Sequence, residues 1–153
     1  MNPASEVIAR LKGKTLGTAE SITGGGIGAA LTAVSGASEV YKGGIISYTD
    51  AVKASLLHVP REMLRSLGAV SGQVAEAMAV GALHTLDADI AVSVTGLAGP
   101  GGDDYGNPVG RVYIGYADCE HVLHREYSFS GDRESVRQQT IEAALKLILE
   151  QNP

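Results

Sequence analysis

The hydroxyl group of Ser21 lies where an apolar segment gives way to glycine. The segment before it reads Leu-Gly-Thr-Ala-Glu over residues 16–20, and Gly24, Gly25 and Gly26 follow it closely. A serine at a strand end, followed by a flexible loop and a helix, is a common placement for a nucleophile beside backbone N–H donors. We therefore predict that Ser21 is a nucleophile and that the N–H groups around Gly24 and Gly25 hold an oxyanion.

A serine nucleophile needs a base, and the chain offers Tyr48 and Lys53. If Asp50 caps a helix, Lys53 is its third residue, where the helix dipole lowers the pKa of an ammonium group. A lysine with a lowered pKa acts as a general base near neutral pH. We predict that Lys53 takes the Ser21 proton and that Tyr48 helps to relay it. A surface lysine and a packed strand tyrosine are the structural alternatives.

Three further side chains are candidates for binding a substrate. Arg133 and Arg137 lie one turn apart at the start of the last predicted helix, where two guanidinium groups could bind a phosphate. Thr95 ends an apolar strand just before Gly96, so its hydroxyl is expected to face the same pocket. The alternatives are a solvated helix face for the arginines and a capping role for the threonine.

Several common sites fail on spacing. A metal site is not predicted, because the four histidines have no metal-binding pattern: His58, His84, His121 and His124. The tyrosine–lysine pair of short-chain dehydrogenases fails because position 52 is valine, and the Ser-x-x-Lys motif of penicillin-binding enzymes fails because position 24 is glycine. The loose dinucleotide pattern G-x-G-x-x-A is present at Gly24, Gly26 and Ala29. It is weak evidence, because the four residues Glu20 to Thr23 lie between it and the apolar residues of the preceding strand.

The composition is that of a soluble globular protein. The chain has 153 residues, of which 44% are hydrophobic and 19% are charged, and its net charge is −5. One domain spanning residues 1–153 is expected, and the negative charge argues against a nucleic-acid partner. Cys119 is the single cysteine, and neither a signal segment nor a membrane span is recognisable. We expect a cytoplasmic protein without a membrane partner, and a homo-oligomer is left open.

Strands and helices alternate along the chain, which predicts an α/β fold. The predicted strands are residues 15–20, 40–48, 89–95, 109–117 and 122–129, the last two forming a hairpin. The predicted helices begin at Pro3, Ile27, Asp50, Pro60, Ser71 and Asp132, and the second is expected to run to Gly36. A three-layer sandwich with a mixed sheet of about five strands follows. Its loops 21–26, 48–53 and 95–108 should meet at one end of the sheet.

Six segments of the chain resemble, in order, the C-terminal domain family of CinA, the competence/damage-inducible protein. They read TAESITGG, YKGGIISYTDAVK, GAVS, VTGLAGPGG, NPVGRVYI and SGDRESVRQQ. Stand-alone members of that family are nicotinamide-nucleotide amidohydrolases. The resemblance implies a three-layer α/β/α domain that hydrolyses the carboxamide of nicotinamide mononucleotide (NMN) without a metal or cofactor.

The resemblance also implies roles for individual residues. Ser21 matches the family nucleophile, Tyr48 and Lys53 its activating pair, Thr95 a site hydroxyl and Arg133 a phosphate-binding arginine. The chain departs from the family pattern at three positions, where members usually have Cys, Asn and Lys: Ile22, Asp50 and Asn107. The alternative function is that of a non-catalytic nucleotide-binding protein of the competence or damage response.

Overall fold

A five-stranded mixed sheet forms the middle layer of the protein. We describe it from a computed structural model that covers residues 1–153. The strands are β1 (Leu16–Glu20), β2 (Tyr41–Ile46), β3 (Ile90–Gly96), β4 (Arg111–Ala117) and β5 (Val122–Ser128). Their spatial order is β2-β1-β3-β4-β5. This arrangement confirms the predicted fold class.

Three parallel strands bring their carboxyl ends to one edge of the sheet. β1 pairs in parallel with β2 and with β3. β4 is antiparallel to β3, and β5 returns antiparallel to β4 as the predicted hairpin. The segments that follow β1, β2 and β3 and the segment that precedes β4 therefore lie at the same edge, which is where open α/β sheets bind ligands.

Six helices cover the two faces of the sheet. They are α1 (Pro3–Arg10), α2 (Gly26–Thr32), α3 (Asp50–Leu57), α4 (Arg61–Leu67), α5 (Gly72–Thr85) and α6 (Arg133–Gln151). Helices α1, α2 and α6 share the larger apolar core with β3 and β4, whereas α3, α4 and α5 pack on the opposite face. None of these helices combines the length and the hydropathy of a membrane-spanning segment.

Side-chain caps fix where several helices begin. Asn2, Ser71 and Asp132 each accept a hydrogen bond from a backbone N–H of the first turn, as their residue types predict. The cap of α3 is different from the one expected. Thr49, not Asp50, is its N-cap, and Thr49 Oγ1 accepts from Val52 N at 3.4 Å. Lys53 is thus the fourth residue of α3.

The second helix is shorter than its apolar periodicity predicts. α2 ends at Thr32 instead of running to Gly36, and a 3₁₀ turn follows over Ala37–Glu39. Gly36 has a φ of 85° and is the left-handed residue from which that 3₁₀ turn begins. Four residues of the predicted helix therefore belong to the connection that returns the chain to β2.

A glycine sets the distance between α5 and α3. A Cβ built on Gly81 would lie 1.9 Å from the carbonyl oxygen of Leu57, the last residue of α3. Only a residue without a side chain allows this approach. The contact holds the carboxyl end of the helix that carries Lys53 against α5.

Candidate active site

An open cleft of about 500 Å³ lies at the carboxyl ends of the parallel strands. Its walls come from the three segments whose meeting the sequence predicts. Ser21 and Ile22 follow β1, residues 48–50 and Lys53 follow β2, and residues 95–105 follow or end β3. Arg133 joins them from the start of α6.

Ser21 and Lys53 form a direct pair inside this cleft. Lys53 Nζ donates to Ser21 Oγ at 3.0 Å and to the carbonyl oxygen of Ser47 at 2.8 Å. Ser21 is 7% exposed and Lys53 is 1% exposed, although lysine is usually a surface residue. A hydroxyl and an amine within hydrogen-bond reach of each other are an arrangement that can serve covalent catalysis.

Burial is what changes the acidity of this lysine. It lowers the pKa of the Lys53 ammonium group from 10.5 to about 8, and the nearby carboxylate of Asp50 partly opposes the change. The lowered pKa matches the expectation, and burial is its largest cause. Near neutral pH a fraction of Lys53 is therefore an uncharged amine that can accept a proton.

Tyr48 contacts Arg133 rather than the serine–lysine pair. Arg133 donates from Nη2 to the Tyr48 hydroxyl at 3.2 Å and from Nη1 to the carbonyl oxygen of Gly99 at 2.7 Å. Tyr48 is 59% exposed and has no hydrogen bond to Ser21 or Lys53. The predicted proton relay through Tyr48 is thus not what this geometry supports. Both side chains lie on the rim of the cleft, where they can contact a substrate.

Thr95 lines the cleft, as expected from its place at the end of β3. Its side chain is 1% exposed, and its hydroxyl donates to the carbonyl oxygen of Ala69 at 2.8 Å. Since that proton is engaged, the oxygen is left as an acceptor. Thr95 can therefore accept a hydrogen bond from an amide N–H but is not free to donate one to an oxyanion.

Gly24 and Gly25 do not line the cleft, which corrects their predicted role as the oxyanion site. The N–H of Gly24 donates to the carbonyl oxygen of Ser21 at 3.1 Å, closing a turn. Both glycines have positive φ, 58° and 105°, so they shape the turn instead. The N–H of Ile22 has no partner within the chain and directly follows the serine, so it is the better-placed donor.

Arg137 is committed to the protein backbone and is absent from the cleft wall. Its Nε donates to the carbonyl oxygen of Ile22 at 3.2 Å, and its Nη2 to that of Thr23 at 3.0 Å. Its Nη1 lies 2.9 Å from the carboxylate of Glu134. With three sides of the guanidinium group occupied, the predicted pairing of Arg137 with Arg133 on one phosphate is wrong.

Sequence reasoning missed the buried carboxylate of Glu20, which is 2% exposed. It accepts hydrogen bonds from Thr23 Oγ1 at 2.5 Å, Ile27 N at 2.8 Å and Gly28 N at 3.0 Å. A charged residue in a strand buried along its whole length was the available signal. Because Glu20 already occupies the N–H groups at the start of α2, a pyrophosphate cannot bind there. The dinucleotide interpretation of the glycine pattern fails for this reason.

Polar side chains fasten the loop that follows β3. Asn107 Nδ2 donates to Asp103 Oδ2 at 2.9 Å and to the carbonyl oxygen of Val70 at 3.1 Å. The Tyr105 hydroxyl donates to the carbonyl oxygen of Arg65 at 2.8 Å. Asn107 therefore ties the loop to the neighbouring segment.

The fold and the site together define the class of protein. It is a three-layer α/β/α domain with a buried serine–lysine pair at the carboxyl ends of its parallel strands. The sequence profile of the CinA C-terminal domain matches residues 2–152, and the chain belongs to that family. A CinA-like protein of Synechococcus sp. is 46% identical over 150 residues, covering 95% of this chain and 36% of the relative. A CinA-like protein of Parasynechococcus marenigrum is 49% identical over 147 residues, covering 93% of this chain and 35% of the relative. The chain thus spans about a third of the length of these curated relatives.

Solved structures agree with this assignment. A competence-damaged protein (CinA) superfamily protein from Escherichia coli superposes with a TM-score of 0.95 at 34% identity, covering 97% of this chain and 88% of that one. The competence/damage inducible protein CihA from Agrobacterium tumefaciens gives a TM-score of 0.92 at 38% identity, with 100% and 98% covered.

Proposed function

We infer that this domain is an amidohydrolase that converts NMN and water to nicotinate mononucleotide and ammonia. The observation that carries the proposal is the 3.0 Å hydrogen bond between Lys53 Nζ and Ser21 Oγ inside the cleft. A buried amine with a pKa of about 8 beside a serine hydroxyl supplies a base and a nucleophile together. The substrate rests on the family resemblance and on the charges of the cleft.

The reaction proceeds by acyl transfer. Neutral Lys53 takes the proton of Ser21 as Oγ bonds to the carboxamide carbon, and the resulting ammonium group gives that proton to the departing nitrogen. Ammonia leaves and an ester of Ser21 remains. Water then attacks the ester, Lys53 accepts a proton from it, and the proton returns to Ser21 Oγ as the carboxylate product forms. The N–H of Ile22 is the donor we assign to the oxyanion in both steps.

The charges on the cleft wall suit a substrate with both signs of charge. Asp50, Asp103 and Asp104 line it together with Arg133. NMN carries a cationic pyridinium ring and an anionic phosphate. We assign the phosphate to Arg133, whose guanidinium group lies on the rim, and the ring to the acidic side of the cleft.

Ammonia release from NMN by the purified protein tests the proposal. Wild type should release ammonia, and Ser21→Ala should lower kcat by about 10³-fold or more while the fold remains intact. Ser38→Ala, an exposed serine outside the cleft, is the matched control and should keep full activity. A Ser21→Ala enzyme within tenfold of wild type excludes the proposed nucleophile. Tight NMN binding by a wild type that releases no ammonia favours the non-catalytic nucleotide-binding alternative.

A further inference from the structure

The backbone turn that carries Ser21 has few hydrogen bonds of its own. Two bonds lie within it, from Gly24 N to the carbonyl oxygen of Ser21 and from Gly26 N to that of Thr23, and Ser21 N donates to the carbonyl oxygen of Val94 on β3. The two following glycines adopt left-handed conformations, which are readily populated by a flexible chain. The direction of the Ser21 side chain therefore depends on contacts that the turn makes with the rest of the protein.

Two charged side chains hold the turn. The Glu20 carboxylate accepts from the Thr23 hydroxyl. From α6, the Arg137 guanidinium group donates to the carbonyl oxygens of Ile22 and Thr23. These carbonyls belong to the two residues that directly follow the nucleophile. Arg137 is separated from them by more than a hundred positions in the sequence, so it ties the turn to a different layer of the fold.

We propose that Arg137 is a positioning residue that holds Ser21 Oγ against Lys53 Nζ by fixing the carbonyl oxygens of Ile22 and Thr23. This inference rests on the proposed serine–lysine chemistry. A planar guanidinium group reaches two neighbouring acceptors at once, whereas an ammonium group is a single point of charge. Displacing a catalytic group by about 1 Å costs on the order of 10²-fold in rate. Arg137 therefore acts on kcat without touching the substrate.

Arg137→Lys and Arg137→Gln separate this role from phosphate binding. We expect kcat to fall about 10- to 100-fold in both variants, while KM for NMN stays within about twofold. Nicotinamide riboside, which lacks the phosphate, should lose the same factor. Adding guanidinium chloride at millimolar concentration to Arg137→Ala should restore part of kcat. Glu134→Gln neutralises the exposed ion-pair partner of Arg137, leaves the two bonds from Arg137 to the turn in place, and should keep the wild-type kcat.

A fluorophosphonate probe gives a readout that does not depend on NMN. Ser21 Oγ bonds to its phosphorus, fluoride leaves, and Lys53 takes the hydroxyl proton. Labelling of both variants should slow by the same factor as kcat, and their melting temperatures should show that they are folded.

If wild type is labelled but releases no ammonia from NMN, the proposed substrate is wrong while labelling still tests Arg137. Labelling of both variants at the wild-type rate, or a rise in KM confined to NMN, overturns the positioning role. A wild type that is neither labelled nor active overturns both proposals.

Discussion

At the scale of single residues, the protonation state of Lys53 sets the working pH of the proposed reaction. Only the neutral amine accepts the Ser21 proton, and burial brings its pKa to about 8. We predict that kcat/KM for NMN rises with pH along a limb centred near pH 8. Lys53→Arg should be nearly inactive at every pH, because a guanidinium group keeps its proton. If the limb is instead centred near the ordinary pKa of histidine, a group other than Lys53 acts as the base.

Asp50 provides a direct test of that assignment. Its carboxylate stabilises the charged form of Lys53 and so raises the lysine pKa against the effect of burial. Asp50→Asn should move the ascending limb of the pH–rate profile toward lower pH. Asp87→Asn, an exposed carboxylate outside the cleft, should leave the limb in place. If the limb stays in place in Asp50→Asn, the pKa seen in the pH–rate profile does not belong to Lys53.

Arg133 should determine preference for a phosphate-bearing substrate. A hydrogen bond to a charged group is worth roughly 1.5–3 kcal/mol, and the phosphate is remote from the carboxamide. Arg133→Ala should therefore lower kcat/KM for NMN about 10- to 100-fold, mainly through KM, and should barely change the rate with nicotinamide riboside. Steady-state kinetics with both substrates checks this. If kcat/KM falls equally for the two substrates, the main role of Arg133 is structural, through its contacts with Tyr48 and Gly99.

At the scale of secondary-structure elements, the junction between β1 and α2 depends on Glu20. Its carboxylate accepts bonds from the Thr23 hydroxyl and from two N–H groups at the start of α2. Glu20→Gln keeps the shape but turns one acceptor into a donor, which leaves a buried N–H facing an NH₂ group. We predict a loss of about 1–3 kcal/mol in the free energy of unfolding.

Urea unfolding and ammonia release measure the two consequences of that change. The turn bearing Ser21 should be displaced as well, so kcat for NMN should fall in Glu20→Gln. Glu39→Gln removes an exposed ion pair with Lys12 and should stay within about 0.5 kcal/mol of wild type. Wild-type stability in Glu20→Gln would mean that the junction does not depend on the charge of Glu20.

At the scale of the whole molecule, the buried lysine should lower the free energy of unfolding. The pKa of Lys53 is about 8 in the folded protein and 10.5 in its ordinary state, so the folded state binds its proton less tightly. The resulting penalty is complete below pH 8 and disappears as the pH rises toward 10.5. Lys53→Met, which is apolar and similar in length, should raise the free energy of unfolding at pH 7 by about 1–3 kcal/mol.

Urea unfolding at several pH values between 6.5 and 9.5 checks this prediction. The advantage of Lys53→Met over wild type should shrink as the pH rises above 8. Lys146→Met changes an exposed lysine on α6, and its stability difference from wild type should not follow this pH dependence. A constant difference for Lys53→Met across the range would show that the buried amine is not the source of the effect.

Local features of the chain that depend on near neighbours could be predicted from the sequence alone. The alternation of strands and helices and the hairpin of β4 and β5 follow from hydrophobic periodicity and turn residues. The caps Asn2, Ser71 and Asp132 follow from side chains that bond to a backbone group three positions away. Where two cap-forming residues are adjacent, as at Thr49 and Asp50, residue type does not decide between them. The sequence motifs also indicated Ser21 and Lys53 as a candidate pair.

Only the tertiary structure decided what those side chains touch. Lys53 has a lowered pKa because the packed layers remove its solvent, and burial depends on the whole fold. Arg137 bonds to the Ser21 turn instead of a phosphate because α6 lies against that turn, a contact across 114 and 115 positions of sequence. Glu20 takes the N–H groups at the start of α2 that a glycine pattern alone would leave to a ligand. Sequence spacing determines which residues share a local element, but the packing of distant elements determines which donors and acceptors remain for chemistry.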